Sequence, residues 1–293
     1  MKGRYCLIVV SFFLLLVLVP TSYARPQASP DYHTSSELIV HYLEFEEQYP
    51  DFVSHEVVGS TSFSNSIYLF KIGNPDGSRI MVQASIHGNE QASSETLYWT
   101  VNWLLEQKEE ASKDILQYNY VLVIPILNVD GYGVSRYNAH EVDLNRNFET
   151  GWGTFNDANR GPNALSEPES QTVHNTIVAW EPEWFIDMHT GDFRVTPPWS
   201  YLDFVPEKEY FDSTYSIIRS VSRSRGVTPI PYSIRCLYGG GTARDEGYSH
   251  GAYSFTVELT STYKPRYSTI TKTLVPKFIP ILITVCQQAR TTP

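Results

Sequence analysis

The sequence predicts an α/β fold: a three-layer α/β/α sandwich in which helices cover both faces of a mixed, largely parallel twisted sheet. Short apolar runs alternate along the chain with longer segments whose apolar residues recur at helical spacing. Several of the short runs are apolar almost throughout, as in strands that are buried on both faces. No linker or internal repeat divides the 293 residues, which favours one domain.

The first elements are predicted to be a helix, a hairpin and a buried strand. Apolar residues recur at helical spacing over 35–48, and this helix should end before Pro50. The runs 52–58 and 66–73 have strand character and are expected to pair as a hairpin. An Asn-Pro-Asp-Gly turn then leads to the buried strand 81–86.

The rest of the chain contains three more predicted strands and three more predicted helices. β-Branched and aromatic residues in short runs indicate the strands, and one-sided apolar residues indicate the helices. The strands are 118–126, 185–188 and 253–259, and the helices are 92–107, 211–222 and 271–287. Pro276 and Pro280 lie inside the last helix, where each removes a backbone donor, so an irregularity is expected there.

Residues 1–24 have the pattern of a secretory signal peptide. Lys2 and Arg4 precede an apolar run, and small residues precede the expected cleavage site. That run is shorter than the ~20 residues needed to span a bilayer, and no later segment is expected to span one. We therefore expect a secreted protein, or a periplasmic one if bacterial, with a flexible segment 25–31 before one domain, 32–293.

The charge balance argues against two classes of partner. The chain has 22 Lys and Arg against 32 Asp and Glu, a net charge of −10, and removal of two signal-peptide cations leaves 20 against 32, or −12. Nucleic acids and anionic membranes are therefore not expected to bind. We expect a monomer. Cys236 and Cys286 could pair in a secreted protein, but their separation in space is not given by the sequence.

Two predicted strands end in a histidine. His87 follows strand 81–86 and has Glu90 three residues later, and His189 follows strand 185–188. Loops at the ends of parallel strands are where α/β proteins place their chemistry. Two imidazoles and a carboxylate with one open position form the donor set of catalytic zinc in peptidases. Taken singly, each histidine is more often a structural side chain than a metal ligand.

Three other charged residues have both a structural and a functional interpretation. Glu258 interrupts the apolar strand 253–259, and a buried carboxylate there needs a structural partner or a catalytic task. Arg136 and Arg146 lie in a loop rich in Asn, Asp and Gly, where they could be ordinary surface residues. The planar fork of arginine also suits such a loop to binding carboxylates.

Five segments between residues 81 and 261 contain these residues: IHGNEQAS, NVDGYGVSRYNAHEVDLNRNF, FIDMHTG, YGGGTARDEGY and YSFTVELT. In these segments and their order, the chain resembles the zinc carboxypeptidase family of the carboxypeptidase A/B type, the M14-like peptidases. One such segment would be weak evidence, whereas five complementary segments in order are strong evidence.

The resemblance implies a zinc site and a general base. His87, Glu90 and His189 would hold one Zn²⁺ per chain, and Asp143 would orient the imidazole of His87. Glu258 would be the general base that activates water.

The resemblance also implies the substrate contacts. Arg136 would polarise the scissile carbonyl group, and Asn145 and Arg146 would bind the terminal carboxylate of a peptide. Tyr238 would close over that carboxylate. Because binding would require a free carboxylate, the expected partners are the carboxy termini of peptides or proteins.

The preferred last residue of the substrate depends on which residue after Gly241 lines the side-chain pocket. If Ala243 lines it, apolar or aromatic end residues should fit, and if Arg244 lines it, acidic ones should. We favour the apolar alternative, because Arg244 could instead pair with Asp245.

These inferences predict a secreted zinc metallocarboxypeptidase. The short distance between the predicted signal and the catalytic region leads us to expect no zymogen segment. One alternative is a related zinc amidohydrolase that acts on bacterial cell-wall peptides or small N-acyl amino acids. A second is a carboxypeptidase-like binding protein without catalysis, which loss of Glu258 or of a metal ligand would favour, and neither is lost.

Overall fold

The computed structural model describes residues 32–154, 159–198, 208–233 and 240–290. The predicted signal peptide and flexible terminus lie outside the described residues, as do Tyr238 and Cys236. The predicted division into a signal, a terminal segment and one domain therefore stays a prediction.

The described residues contain one seven-stranded sheet, with the strand order β1-β2-β4-β3-β5-β7-β6. The strands are β1 (Val53–Ser60), β2 (Ser66–Gly73), β3 (Ser78–Ala84), β4 (Asn119–Ile124), β5 (Trp184–His189), β6 (Asp192–Thr196) and β7 (Tyr253–Thr260). Strands β4, β3, β5 and β7 form a parallel centre, whereas the pairs β1–β2, β2–β4 and β6–β7 are antiparallel. The predicted mixed sheet and the β1–β2 hairpin are confirmed.

Helices cover both faces of the sheet, as predicted. They are α1 (Ser35–Gln48), α2 (Gln91–Glu106), α3 (Glu110–Tyr118), α4 (Pro168–Trp180), α5 (Lys208–Ser224), α6 (Ala243–Ser249), α7 (Tyr267–Thr269) and α8 (Val275–Ala289). A single 3₁₀ turn, Leu144–Arg146, lies in the long loop after β4. Helix α1 begins with a capping box in which Thr34 and Glu37 satisfy each other's backbone donors.

Two apolar clusters lie on opposite faces of the sheet. All six residues of β4 are buried, and they alternate between the clusters, with Val121 and Val123 on one face and Leu122 and Ile124 on the other. Helices α1, α2, α5 and α8 contribute to the larger cluster, and α4 and α6 contribute to the smaller one. Because both faces of these strands are buried, their sequences are apolar almost throughout.

Five elements were missing from the sequence prediction: α3, α4, α6, α7 and β6. Helix α4 buries Ser170, Thr172 and Thr176 together with Val173 and Ile177, so its buried face is not distinctly apolar. Helices α3 and α6 have only 9 and 7 residues, and β6 has 5. Such short elements are held by their neighbours more than by their own periodicity.

The prediction that no later segment is apolar enough to span a membrane was wrong. Among the described residues, the helical run Tyr267–Ala289 is long and apolar enough to do so by length and composition. In the folded protein, 67% of the most apolar 18-residue stretch of this run is buried, because α8 packs against the sheet and α5. The predicted irregularity is a π turn, Ile270–Leu274, just before Pro276.

Candidate metal centre

The three predicted ligands meet at the carboxyl edge of the parallel strands. His87 follows β3, Glu90 immediately precedes α2, and His189 is the last residue of β5. Since β3 and β5 are neighbouring parallel strands, their ends lie side by side. One ligand atom from each of the three side chains lies within 4.8 Å of the others, and all three residues are at least 97% buried.

A close backbone approach fixes the loop that holds His87 and Glu90. The Gly133 amide donates to the Gly88 carbonyl oxygen at 2.7 Å, and a Cβ atom on Gly88 would lie 2.2 Å from the Gly131 backbone. Only glycine fits at that distance. The Glu90 side chain makes no capping bond to α2, so its carboxylate is turned towards the histidines.

Each histidine has one nitrogen directed towards Glu90 and the other directed towards a second carboxylate. His87 Nδ1 lies 2.8 Å from Glu90 Oε1, and His189 Nδ1 lies 3.1 Å from Glu90 Oε2. His87 Nε2 lies 3.0 Å from Asp143 Oδ1, and His189 Nε2 lies 2.7 Å from Asp187 Oδ2. Proton donation from Nε2 to a carboxylate leaves the Nδ1 lone pair free for a metal.

This donor set fits zinc. Ligands at 2.0–2.2 Å around a tetrahedral ion lie about 3.4 Å apart, and the observed separations of 2.8 and 3.1 Å between Glu90 and the two Nδ1 atoms are a few tenths of an ångström shorter. Burial by itself would raise the pKa of Glu90, but His87 and His189 hold that pKa well below its usual value. The carboxylate therefore stays ionised, as a metal ligand must.

Glu258 faces the same cavity from β7. It lies opposite His189 in the β5–β7 register, and its Oε2 atom is buried without a hydrogen-bond partner among the described residues. Burial raises the pKa of Glu258 above its ordinary value, and Glu90 raises it further while the two histidines oppose the rise. A buried carboxylate oxygen with no partner is costly and points to a group that the protein binds there.

Two predicted arginines line the cavity near the metal ligands. Arg136 donates from Nε and Nη2 to Asp143 Oδ2 at 3.1 and 3.0 Å, and its Nη1 lies 3.6 Å from Glu90 Oε1. Arg146 donates to the Asn145 carbonyl oxygen at 2.6 Å. The Asn145 side chain lies 3.3 Å from His189 Nε2 and accepts a bond from the Ala243 amide at 2.9 Å.

Comparison with known proteins agrees with this geometry. The sequence pattern of the zinc carboxypeptidase family, peptidase M14, matches residues 39–278. The chain belongs to the zinc carboxypeptidase family. It is 28% identical to mast cell carboxypeptidase A of Rattus norvegicus over 252 residues, which is 73% of this chain and 60% of the rat protein.

Further similarities show the fold and the extent of the match. Carboxypeptidase B of Bos taurus is 25% identical over 72% of this chain and 58% of its own length. The chain thus spans about three fifths of these curated relatives. The crystal structure of Helicoverpa armigera carboxypeptidase A superposes with a TM-score of 0.79 at 20% identity, covering 90% of this chain and 75% of that one. Thrombin activatable fibrinolysis inhibitor gives 0.80 at 23% identity, covering 91% and 80%.

In this member of the zinc carboxypeptidase family, Arg244 lines the cavity and Ala243 does not. Ala243 is fully buried in the smaller apolar cluster and is not among the described residues that line the cavity. Arg244 donates from Nε to Asp245 Oδ1 at 3.1 Å, as foreseen, and still reaches the cavity. The favoured apolar interpretation was based on Ala243, and the structure removes that basis.

The sequence prediction missed several residues that line the cavity or support its ligands. Asp187 precedes His189 by two positions on β5, and this alternation, visible in FIDMH, places both side chains on one face. Arg194 lies opposite Glu258 in the β6–β7 register, a long-range pairing that no local pattern indicates. The cavity has a volume of about 410 Å³, and its other unpredicted lining residues are Thr190, Gly191, Asp192, Thr196, Thr242, Thr256 and Tyr263.

Proposed function

We propose that this chain is a zinc-dependent carboxypeptidase that hydrolyses the last peptide bond of peptides or proteins. The main support is one observation: a buried His-Glu-His donor set lies beside a carboxylate oxygen of Glu258 that has no hydrogen-bond partner in the described part of the chain, in a cavity lined by arginines. Metal ligands, base and anion-binding groups thus share one cavity, as peptide hydrolysis requires.

The residues of the chain divide the chemistry between them. Zinc, when bound by His87, Glu90 and His189, supplies a Lewis acid that polarises the scissile carbonyl and acidifies water. Glu258 takes the proton from the attacking water and passes it to the leaving amine. Arg136, beside Glu90, donates to the carbonyl oxygen as negative charge develops on it.

Arg146 restricts cleavage to the chain end. Its guanidinium lines the cavity, and a guanidinium binds a carboxylate with two parallel hydrogen bonds. Asn145, which bonds to both His189 and Ala243, positions Arg146 through the adjacent backbone. An internal peptide bond offers no carboxylate at this place, so exopeptidase activity follows. Tyr238 remains a proposed lid.

The lining of the cavity favours an acidic last residue in the substrate. Arg194 and Arg244 line it together with the hydroxyl groups of Thr196, Thr242 and Thr256. Asp245 fixes the guanidinium of Arg244, which preorganises a donor for a carboxylate side chain. An apolar side chain in this cavity would desolvate these groups without replacing their hydrogen bonds.

The proposed function can be tested with a peptide panel and one substitution. Peptides that differ only in their last residue, which is Glu, Phe or Lys, are incubated with zinc-loaded protein. Release of the last residue is then measured. We expect Glu to be released fastest. The Glu258→Gln variant should keep its zinc and lose about 10²–10⁴-fold in rate, while Glu56→Gln on the surface of β1 is the matched control.

Each other outcome would contradict part of the proposal. Fastest release of Phe would reject the acidic preference while leaving the carboxypeptidase activity. Hydrolysis of N-acyl amino acids or cell-wall peptides without release from ordinary peptides would favour the amidohydrolase. Tight zinc binding without any turnover would favour the binding protein, and unchanged turnover in Glu258→Gln would remove that residue from the mechanism.

We also propose that residues 1–24 direct export and that the protein acts outside the cell, or in the periplasm if bacterial. The support is the charged start and apolar run described above. Mass spectrometry of exported protein should find a mature amino terminus at Arg25, and an exported chain that keeps residues 1–24 would contradict this. A monomer is expected by light scattering.

A further inference from the structure

A second cluster of metal-ligating side chains lies between α4 and α6, apart from the catalytic cavity. It consists of His174 on α4, Glu246 on α6 and His250 just after α6. One ligand atom from each of the three lies within 4.8 Å of the others. Glu246 Oε1 is 2.6 Å from His174 Nδ1 and 3.8 Å from His250 Nδ1, and the two rings are 5.0 Å apart.

The carboxylate of this cluster is held in a fixed orientation. Glu246 is fully buried, and its Oε2 atom accepts hydrogen bonds from the Thr150 amide at 3.0 Å and the Thr150 hydroxyl at 2.9 Å. Its other oxygen is thereby directed at the two imidazoles. The histidine side chains are 21% and 32% exposed, so solvent and ions can reach the open side of the cluster.

We propose that His174, Glu246 and His250 bind a second divalent transition-metal ion, with zinc as the best match. Two imidazoles and one carboxylate are the same donors as at the catalytic centre, and they suit zinc better than magnesium or calcium, which prefer oxygen ligands. His250 Nδ1 also lies 3.0 Å from the Glu246 carbonyl oxygen and 3.2 Å from Ser249 Oγ. A bound ion would replace the proton on His250 Nδ1 in those contacts, and water would complete the coordination of the ion.

An ion at this cluster would stabilise one wall of the catalytic cavity. Thr150 accepts a bond from the Gly241 amide at 2.7 Å, and Gly241 accepts one from the Phe148 amide at 3.1 Å. A Cβ atom on Gly241 would lie 2.4 Å from the Arg146 carbonyl oxygen, so the backbone segments around these two residues are in close contact. Thr150 and α6 therefore connect the cluster to Arg146 and Arg244, which line the cavity.

Metal stoichiometry tests the proposal directly. Purified protein is stripped with a chelator, reloaded with buffered Zn²⁺ and desalted, and bound zinc is counted by mass spectrometry. We expect two zinc ions per chain in the unmodified protein and one each in His174→Gln and His250→Gln. The His189→Gln variant should also retain one, so failure of the catalytic-site assignment would be distinguishable from failure of this one.

A matched control separates metal binding from a simple ion pair. His140 lies 2.7 Å from Glu167 Oε2 but belongs to no group of three ligating side chains among the described residues, so His140→Gln removes a histidine–glutamate pair and should leave two ions. In His189→Gln, added zinc should still raise the melting temperature, and this rise should vanish when His250→Gln is added. One ion in the unmodified protein that is lost in His189→Gln, or two ions in His250→Gln, would overturn the proposal, whereas one ion that is lost only in His250→Gln would reject the catalytic-site assignment instead.

Discussion

At the scale of single residues, the carboxylates of Asp143 and Asp187 determine which nitrogen of each histidine can hold an ion. Each accepts from an Nε2 atom, and Asp187 is itself held by the Gln83 side-chain amide at 2.8 Å. Both carboxylates are buried, so neither is easily replaced by water. Asp187 is therefore expected to matter as much as Asp143, although the sequence prediction included only Asp143.

Replacing Asp187 with Asn should weaken zinc binding at the catalytic centre by about 10–100-fold. The amide is isosteric but removes the negative charge that favours Nε2 protonation of His189. Zinc affinity would be measured by competition with a chelator in a His250→Gln background, so that one centre is observed. Asp192→Asn is the control, since Asp192 lines the same cavity but pairs with Arg194. Equal affinities in the two variants would contradict the prediction.

The pH dependence of catalysis should report the environment of Glu258. Burial raises the pKa of this carboxyl above its ordinary 4.5, and the general base works only when deprotonated. As pH falls, kcat/KM should therefore decline through a midpoint above 4.5. The profile of kcat/KM for a Glu-terminated peptide checks this, with the zinc content confirmed at each pH. A rate that stays constant down to pH 4.5 would contradict it.

At the scale of secondary-structure elements, Glu95 joins the start of α1 to α2 and α7. This fully buried carboxylate accepts from the His33 amide at 2.8 Å and the Tyr267 hydroxyl at 3.0 Å, and it lies 3.0 Å from His33 Nδ1. The hydrogen bond to Glu95 raises the pKa of His33 above 6.5, although burial opposes this. The protonated imidazole is thus bound more strongly in the folded state than in the unfolded one.

The free energy of unfolding should therefore depend on pH through His33. A folded-state pKa above the unfolded value gives stability that is fully present below pH 6.5 and is lost as pH rises through the folded pKa. Urea unfolding at pH values from 6 to 9 should show a decrease that is smaller in His33→Gln. The control is His41→Gln. The His41 side chain is 27% exposed and pairs with Glu44, so this variant should keep the slope of stability against pH of the unmodified protein. The same slope in His33→Gln would contradict the prediction.

How well an element was predicted depended on where its stabilising contacts lie. Helix α1 and strand β2 have the predicted bounds, because one-sided periodicity and turn residues act locally. Helix α4 was missed because hydroxyl groups fill much of its buried face. The position of α6 depends on contacts far along the chain, such as the bond from the Ala243 amide to Asn145. Local patterns carry no information about such contacts.

At the scale of the whole molecule, the catalytic centre is predictable because topology brings a few strand ends together. His87 and His189 are about a hundred positions apart, yet β3 and β5 are adjacent parallel strands. The side-chain pocket was predicted less well, because its lining depends on the antiparallel pairing of β6 with β7 and on the orientation of α6. Arg194 and Arg244 reach the cavity only through those packing details.

This arrangement makes zinc a cross-link between parts of the chain that are distant in sequence. An ion that binds only the folded state adds RT ln(1 + [L]/Kd), or about 2.7 kcal/mol at a hundredfold excess over Kd. For a domain of this size, that corresponds to a rise in melting temperature of about 5–10 °C. Calorimetry of the chelated and the zinc-loaded protein should show this difference. In the double variant Glu90→Gln with His250→Gln, the difference in melting temperature should shrink, because each proposed centre has then lost a ligand. An equal zinc-dependent rise in that double variant would mean that the ion stabilises the protein from somewhere other than these two clusters.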